Sequence, residues 1–340
     1  MTIRTDLGSR LRDGRQLART KYKEEEKDKL GILRAGNSGI LTEDGDAAGS
    51  CLRVAHLRSL GIETEPPTDS RLIMFQLGTA NEDVIYNDLV HTKAEDEVIL
   101  RETEIPISWV TSNGTKVTGR PDMVVLKKVG EELKPSHGVI FLATGEAAKP
   151  VFGVEIKSIA SVWTSREVLF DGSPKLEHLI QAGHYSWKLG CPFKLMYKQY
   201  ANQAVPQWAN KFFPKKGEKN SEHIEYNDKG EIKAIQPFEI VYELQWNAKV
   251  SALEYRREDR PNDKWVRSPI STADIERFYE FLSTMGSRKE LGPRPMTIDA
   301  EGREKNFSKC NYCTLKPICD TEEKKGYDAW LQAVKKQLGV

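Results

Sequence analysis

The sequence predicts an α/β fold in which a mixed β-sheet is flanked by helices. Three observations carry this. Apolar residues recur at near-helical spacing over 70–92 and 176–189, shorter apolar runs lie between and beyond them, and Asn113-Gly114 joins two of those runs. The resulting order of helix, three strands, helix, strand implies a sheet covered by helices.

Residues 7–33 are rich in Arg, Lys and Glu, with Leu7, Leu11 and Leu17 loosely spaced, and read as a solvated helix. Gly36-Asn37-Ser38-Gly39 and Glu43-Asp44-Gly45-Asp46 mark a loop, and a helical pattern resumes over 50–57 with Cys51 near its start. Pro66-Pro67-Thr68-Asp69-Ser70 breaks the chain and supplies a capping residue for one long helix over 70–92. Strands are expected over 97–107, 116–126 and 151–159. Asn113 and Gly114 both tolerate the positive φ of a tight primed turn, so the first two strands should form a hairpin. A longer connection occupies 130–150, a helix 176–189 and a strand 193–200. Residues 201–263 are less regular, with a charged loop over 214–221 and a strand over 238–246, and read as an insertion. A capped helix over 271–285, a segment with three cysteines over 302–320 and a closing helix over 326–338 complete the chain. The expected organisation is an N-terminal helical region, 1–69, a core, 70–205, an insertion, 206–270, and a C-terminal helical region, 271–340.

The 51 Lys and Arg against 50 Asp and Glu in 340 residues leave a net charge of +1, so any nucleic-acid surface must be a local patch. No stretch approaches the roughly 18 apolar residues needed to span a bilayer. Residues 1–6 lack the apolar core of a secretory signal, and a cytoplasmic protein is expected. Five cysteines are too few for a disulfide scaffold in a chain this long, and reduced thiolates there serve better as metal ligands.

The sharpest chemical signal is Gly119-Arg120-Pro121-Asp122 at the start of one apolar strand, followed by Glu155-Ile156-Lys157 on the next. Glu155 and Lys157, two apart, point to one face. If the strands are neighbours, Asp122 joins them there. Two carboxylates and the Ile156 carbonyl then form an oxygen cage suited to Mg²⁺ or Mn²⁺, with Lys157 placed to position an attacking water. Phosphodiester hydrolysis needs that combination of a hard cation and an aligned nucleophile. An acid-x-Lys triplet alone is usually a rim salt bridge; here it follows the continuous apolar run Val151-Phe152-Gly153-Val154.

Cys310, Cys313 and Cys319 lie within ten residues, with Pro317 stiffening the second interval. Three clustered thiols want a fourth, and Cys51 is the natural candidate, since Cys191 sits at a helix end inside the core and reads as a small buried hydrophobe. Such a set suits Zn²⁺ or an iron–sulfur cluster, and ligand type does not choose between them. From His178 to Gly217 there is no Asp or Glu, whereas Lys188, Lys194, Lys198, Lys211, Lys215 and Lys216 alternate with Trp187, Phe193, Tyr197, Tyr200, Trp208, Phe212 and Phe213. That mixture suits a groove that neutralises phosphates and stacks unpaired bases, with some of the rings also serving the core.

Taken together, these segments resemble the RecB-like branch of the P-D-(D/E)-x-K nuclease superfamily, over about Cys51 to Cys319. Gly78-Thr79-Ala80-Asn81-Glu82 is similar to that branch's first motif, and Gln181-Ala182-Gly183-His184-Tyr185 to its later helical motif. The resemblance implies a restriction-endonuclease-like core. It makes Glu82 a third metal ligand beside Asp122 and Glu155, and Gln181 and Tyr185 residues that position the strand. Many RecB-like enzymes carry a metal-binding His where this chain has Asn81. One cysteine before the nuclease motifs and three after them resembles the AddB kind and the CRISPR-associated nucleases, which implies a [4Fe–4S] cluster on Cys51, Cys310, Cys313 and Cys319, joining the two ends of the chain. The implied activity is a metal-dependent exonuclease on single-stranded DNA ends, with protein partners in a recombination or CRISPR complex. The alternatives are a zinc-stabilised restriction-type endonuclease and a catalytically silent DNA-binding subunit.

Overall fold

Along Phe193–Gln199 buried and half-buried residues alternate, Phe193, Leu195, Tyr197 and Gln199 pointing into the core. This strand and the long Ala147–Ser158 strand pair in parallel and form the centre of the sheet. The computed structural model describes residues 33–62, 69–101, 104, 107–129, 140–141, 146–303, 310 and 313–339. Within them an eight-stranded mixed sheet comprises β1 (Glu97–Arg101), β2 (Met123–Lys128), β3 (Ile140–Phe141), β4 (Ala147–Ser158), β5 (Phe193–Gln199), β6 (Phe238–Asn247), β7 (Ala252–Arg257) and β8 (Val266–Arg267). Their order is β8-β7-β6-β5-β4-β2-β1, with β3 beside the start of β4; every pairing except β4 with β5 is antiparallel. The expected insertion 206–270 thus contributes β6, β7 and β8 to the same sheet.

Among the described residues there are six α-helices of at least seven residues: α1 (Leu52–Ser59), α2 (Asp69–Thr92), α3 (Leu176–Leu189), α4 (Thr272–Arg288), α5 (Lys316–Glu322) and α6 (Tyr327–Leu338). Helix α3 lays Leu179, Ile180, Ala182 and Tyr185 on one face of the sheet, within the main core. Helix α2 covers the other, where Ile85 joins Ile99, Met123, Val125, Val154 and Ile156 in a smaller apolar cluster. Because side chains alternate along β4, Val154 and Ile156 face α2 while Glu155 and Lys157 face α3. Helix α4 starts at Ser271, whose Oγ accepts the Asp274 N–H at 3.1 Å, an N-cap of the expected kind. A hairpin of Gly39–Leu41 and Ala47–Gly49 packs on α4 and pairs in parallel with Pro295–Met296, so early and late parts of the chain interlock.

Helices expected over 70–92 and 176–189 are present as α2 and α3. The strand expected over 116–126 is two strands, Lys116–Gly119 and β2, in different sheets. Pro121 has no N–H for a ladder, and the chain leaves one sheet there for the other. Likewise 97–107 holds β1 and the beginning of Ile107–Val110, and it is this last strand that forms the hairpin with Lys116–Gly119. Gly114 has φ +85° in its turn. The 33–62 part of the expected N-terminal helical region contains short strands as well as α1, and the helix expected over 7–32 lies outside the described residues. Among the described residues no helix is long and apolar enough to cross a membrane.

Gly153 on β4 backs onto the ring of the fully buried Phe193, closer than a Cβ tolerates. A Gly153→Ala substitution is expected to lower stability by about 1–3 kcal/mol, the usual cost of overpacking. The midpoint of urea unfolding measures it; an unchanged midpoint would mean that β4 and β5 pack less closely.

Candidate active site and thiol cluster

Register assembles the acidic site. Met123 pairs with Val154, which sets Asp122 opposite Glu155 where β2 begins. Freed from the ladder after Pro121, the Asp122 Oδ2 accepts the Ile156 N–H at 2.6 Å. Lys157 Nζ donates to Glu155 Oε1 at 2.5 Å and to Gln181 Oε1 at 3.2 Å. Gln181 and Tyr185 are one turn apart on α3, so both reach the same place. Gln181 Nε2 donates to the Tyr185 hydroxyl at 3.4 Å, and that oxygen also accepts the Arg120 N–H at 3.3 Å. Glu155 is 1 % exposed and Tyr185 2 %.

Electrostatics links these groups further. Burial alone would push the Lys157 ammonium down, but the carboxylates of Glu155, Asp122 and Glu82 outweigh it and hold the group above the usual lysine value. Lys157 therefore stays charged at neutral pH and acts as a donor, not as a base. Tyr185 is pushed well above the phenol range, chiefly by burial and then by Glu155, so it keeps its proton. Glu82 reaches the cluster from α2, on which the neighbouring Asn81 donates to Ser158 Oγ at 2.5 Å. The three carboxylates lie around one ammonium without being arrayed as a metal-binding group, as holds for every set of three His, Cys, Asp or Glu among the described residues.

Of the six expected site residues, Asp122, Glu155, Lys157, Gln181 and Tyr185 are brought together from the entrance of β2, from β4 and from α3, and Glu82 on α2, a fourth element, acts on Lys157 through its charge. The Ile156 side chain belongs to the α2 cluster and its amide is held by Asp122. Sequence reading did not find the Asn81–Ser158 contact. Its one signal is that a hydroxyl directly follows Lys157 on the strand.

The four expected thiols also come together. Cys51 stands at the N-cap of α1, Cys319 lies on α5, and Cys51, Cys310, Cys313 and Cys319 line one cavity of about 20 Å³ with Arg53, Arg294 and Lys316. Burial pushes the Cys51 thiol up, the amides of Val54 and Arg53 pull it back, and Cys310 and Cys319 push it further up. The sulfurs share a cavity without forming a closed shell: among the described residues no three His, Cys, Asp or Glu are arrayed as a metal-binding group. Four soft donors lining one small cavity are the ligand type that suits a thiolate-held metal, and the neighbouring Arg53, Arg294 and Lys316 are paired with Asp320 and Glu323. Cys191 lies apart in the main core, its thiol pushed up to about 12 by burial.

Arg53, two residues after Cys51, holds this region together. It is 2 % exposed; its Nε donates to the Gly292 carbonyl at 2.8 Å and its Nη2 to Glu323 Oε1 at 2.5 Å. Arg294 donates to the other Glu323 oxygen at 2.6 Å and to Asp320 at 2.6 Å.

The basic and aromatic stretch divides. Phe193 and Tyr197 are fully buried, and Lys188 lies over the Trp187 ring at 3.4 Å. Lys194 is paired with Glu243 and Glu258 and Lys198 with Glu239, acids remote in sequence, two on β6 and one just beyond β7. Tyr200, Trp208 and Phe212 remain exposed, as do Lys211, Lys215 and Lys216.

The Glu323 carboxyl is held below the usual range by Arg53 first, then by Arg294 against the opposing effect of burial. A folded value below the unfolded one means that its contribution is full above the unfolded carboxylate value and drains away as pH falls through the folded one. Glu323→Ala is expected to remove that acid-side slope and to cost about 1–3 kcal/mol by leaving the buried Arg53 short of an acceptor. Unfolding midpoints between pH 3 and 7 check both; a variant with the parent's pH slope would show that the pair is not coupled to folding.

The chain matches no family model, no curated protein and no solved structure.

Proposed function

We propose that the chain is a metal-dependent deoxyribonuclease with a restriction-endonuclease-like core, acting on single-stranded DNA ends. The observation that carries this reading is Lys157, held by Glu155 and Gln181 and feeling the charges of Asp122 and Glu82. A bound Mg²⁺ or Mn²⁺ would neutralise charge on the phosphate and make water nucleophilic at neutral pH. Glu82, Asp122 and Glu155, with the Ile156 carbonyl, are the residues that would hold it. The chain's own groups do the rest. The Lys157 ammonium orients the attacking water and offsets charge developing on the phosphate. Gln181 fixes that ammonium through its carbonyl, and Tyr185, protonated and anchored by the Arg120 amide, donates toward the strand.

The thiol set would carry a [4Fe–4S] cluster or zinc in a structural role, since its cavity is lined by residues of α1 and the C-terminal region and not by the acidic site. Recombination, repair and CRISPR adaptation are pathways that use such an enzyme, with DNA and other proteins of the complex as partners.

The test is cleavage of a labelled single strand with Mg²⁺ or Mn²⁺. Lys157→Ala is expected to slow cleavage by roughly 100-fold or more, the usual cost of removing one transition-state donor. A variant as fast as the parent would refute the proposal. A circular strand left whole supports exonuclease action, and a cut circle supports the endonuclease reading. In protein purified without oxygen, about four irons per chain with visible absorbance are expected; one zinc and no colour would replace the cluster with the zinc reading, and loss of either metal should loosen the termini while sparing the Asp122 site.

A further inference from the structure

Just beyond β4 the chain forms a helical turn, Val162–Ser165, that carries Trp163, and the chain from Lys157 to this residue spans no more than about 20 Å. Trp163 meets Trp208 with ring centroids 5.7 Å apart and Phe212 at 5.8 Å, and behind them it stacks on the buried Phe213 at 6.2 Å. All three outer rings face solvent: Trp163 is 43 % exposed, Phe212 41 % and Trp208, at 66 %, more than any other large apolar side chain among the described residues. The surface is nonetheless fixed. Arg166 Nε donates to the Phe212 carbonyl at 2.8 Å, and Ser165 Oγ is hydrogen-bonded to Gln199 at the end of β5 and to Gln203.

Three lysines beside these rings are left without an ion pair among the described residues, although Glu218 accepts the Lys215 amide and Asp171 pairs with Arg166. Lys211 lies 5.0 Å from the Phe212 ring centre, and Lys215 and Lys216 follow on the same segment. These three lysines are exposed and make no ion pair among the described residues, in contrast to Lys194 and Lys198. Rigid open rings beside unneutralised ammonium groups suit a polyanion that also offers flat apolar faces.

We infer that Trp163, Trp208 and Phe212 form a stacking platform for unpaired bases, with Lys211, Lys215 and Lys216 holding the phosphates of the same strand. The inference rests on the nuclease reading of the Asp122–Lys157 site and deepens it: the platform would bind the strand next to the point of cleavage and would exclude duplex, whose bases are already stacked.

The experiment is binding of a labelled oligothymidine to the full chain in EDTA, where nothing is cut, followed by fluorescence anisotropy. Trp208→Ala, at an exposed position that cannot compromise the core, is expected to weaken binding by roughly 5- to 150-fold, the value of one stacked base. Trp208→Phe should restore most of it. Replacing Lys211, Lys215 and Lys216 by Gln should lower the slope of log K against log salt by roughly 2. If Trp208→Ala binds like a parent that cleaves single strands, the inference is overturned and the nuclease reading stands; the rings would then be a protein-binding surface. Equal or tighter binding of duplex by the parent also overturns it. A parent that neither binds nor cuts single strands defeats both.

Discussion

A charged lysine among three carboxylates is the arrangement on which the rest depends. Lys157 has only 22 % of its side chain exposed and Glu155 1 %, and the two meet at 2.5 Å, where the carboxylates around it hold the lysine above its usual value despite burial. Removing one partner from such a pair leaves a buried charge unanswered, typically at about 3–5 kcal/mol. Three elements must therefore stay in register for the cluster to exist: β2 brings Asp122, β4 brings Glu155 and Lys157, and α2 brings Glu82. The Ile156 N–H to Asp122 bond joins the first two at the place where their ordinary ladder ends. Proline at 121 and the acid at 122 are thus one device. The first releases the backbone and the second uses the released side chain to close the gap.

A similar economy joins the ends of the chain. Cys51 and Arg53 lie on either side of the first residue of α1, and both address residues far along the sequence, Cys51 the other thiols and Arg53 the Gly292 carbonyl and Glu323. Arg294, Asp320 and Glu323 extend that link along α5 and the turn after it. The apolar cluster beneath it, with Leu57, Ile318, Trp330 and Val334, is separate from the main core. This corner is therefore a small body of its own, tied to α1 by Leu57 within the cluster, by the His56–Tyr327 hydrogen bond at 2.7 Å and by the polar clamp through Arg53. A metal held by the four thiols would act on the same joint, which is why its loss should be felt at the termini more than at the acids.

Much of this was legible in the sequence where the signal is local. Gln181 and Tyr185 are one helical turn apart and Glu155 and Lys157 one strand period apart, so their common faces follow from backbone geometry alone. The division of 116–126 between two sheets was not legible, since a proline before an acid at a strand entrance and a proline within an edge strand look alike in one dimension. The basic stretch misled for a related reason. A window free of acids from His178 to Gly217 says nothing of what pairs across strands, and β6 places Glu239 and Glu243 beside Lys198 and Lys194. Trp163 escaped notice because it lies upstream of that window and joins Trp208 only through folding.

These cases point to one reason why the acidic cluster was easier to read than the surface. On β4, Glu155 and Lys157 face α3 and its apolar core, and two charged positions there break the pattern that burial demands. A fold keeps such a violation only if partners compensate it, here Gln181, Asp122 and Glu82, and partners that compensate a charge also tune it. The sequence displays the violation directly, as an acid and a lysine after a run of apolar residues. A surface lysine breaks no rule, and whether it is neutralised or left open is decided by residues arriving from elsewhere. Lys194 and Lys211 are alike in sequence; one is pinned between two glutamates and the other stands open beside a phenylalanine ring, and only the second is available to a strand of phosphates.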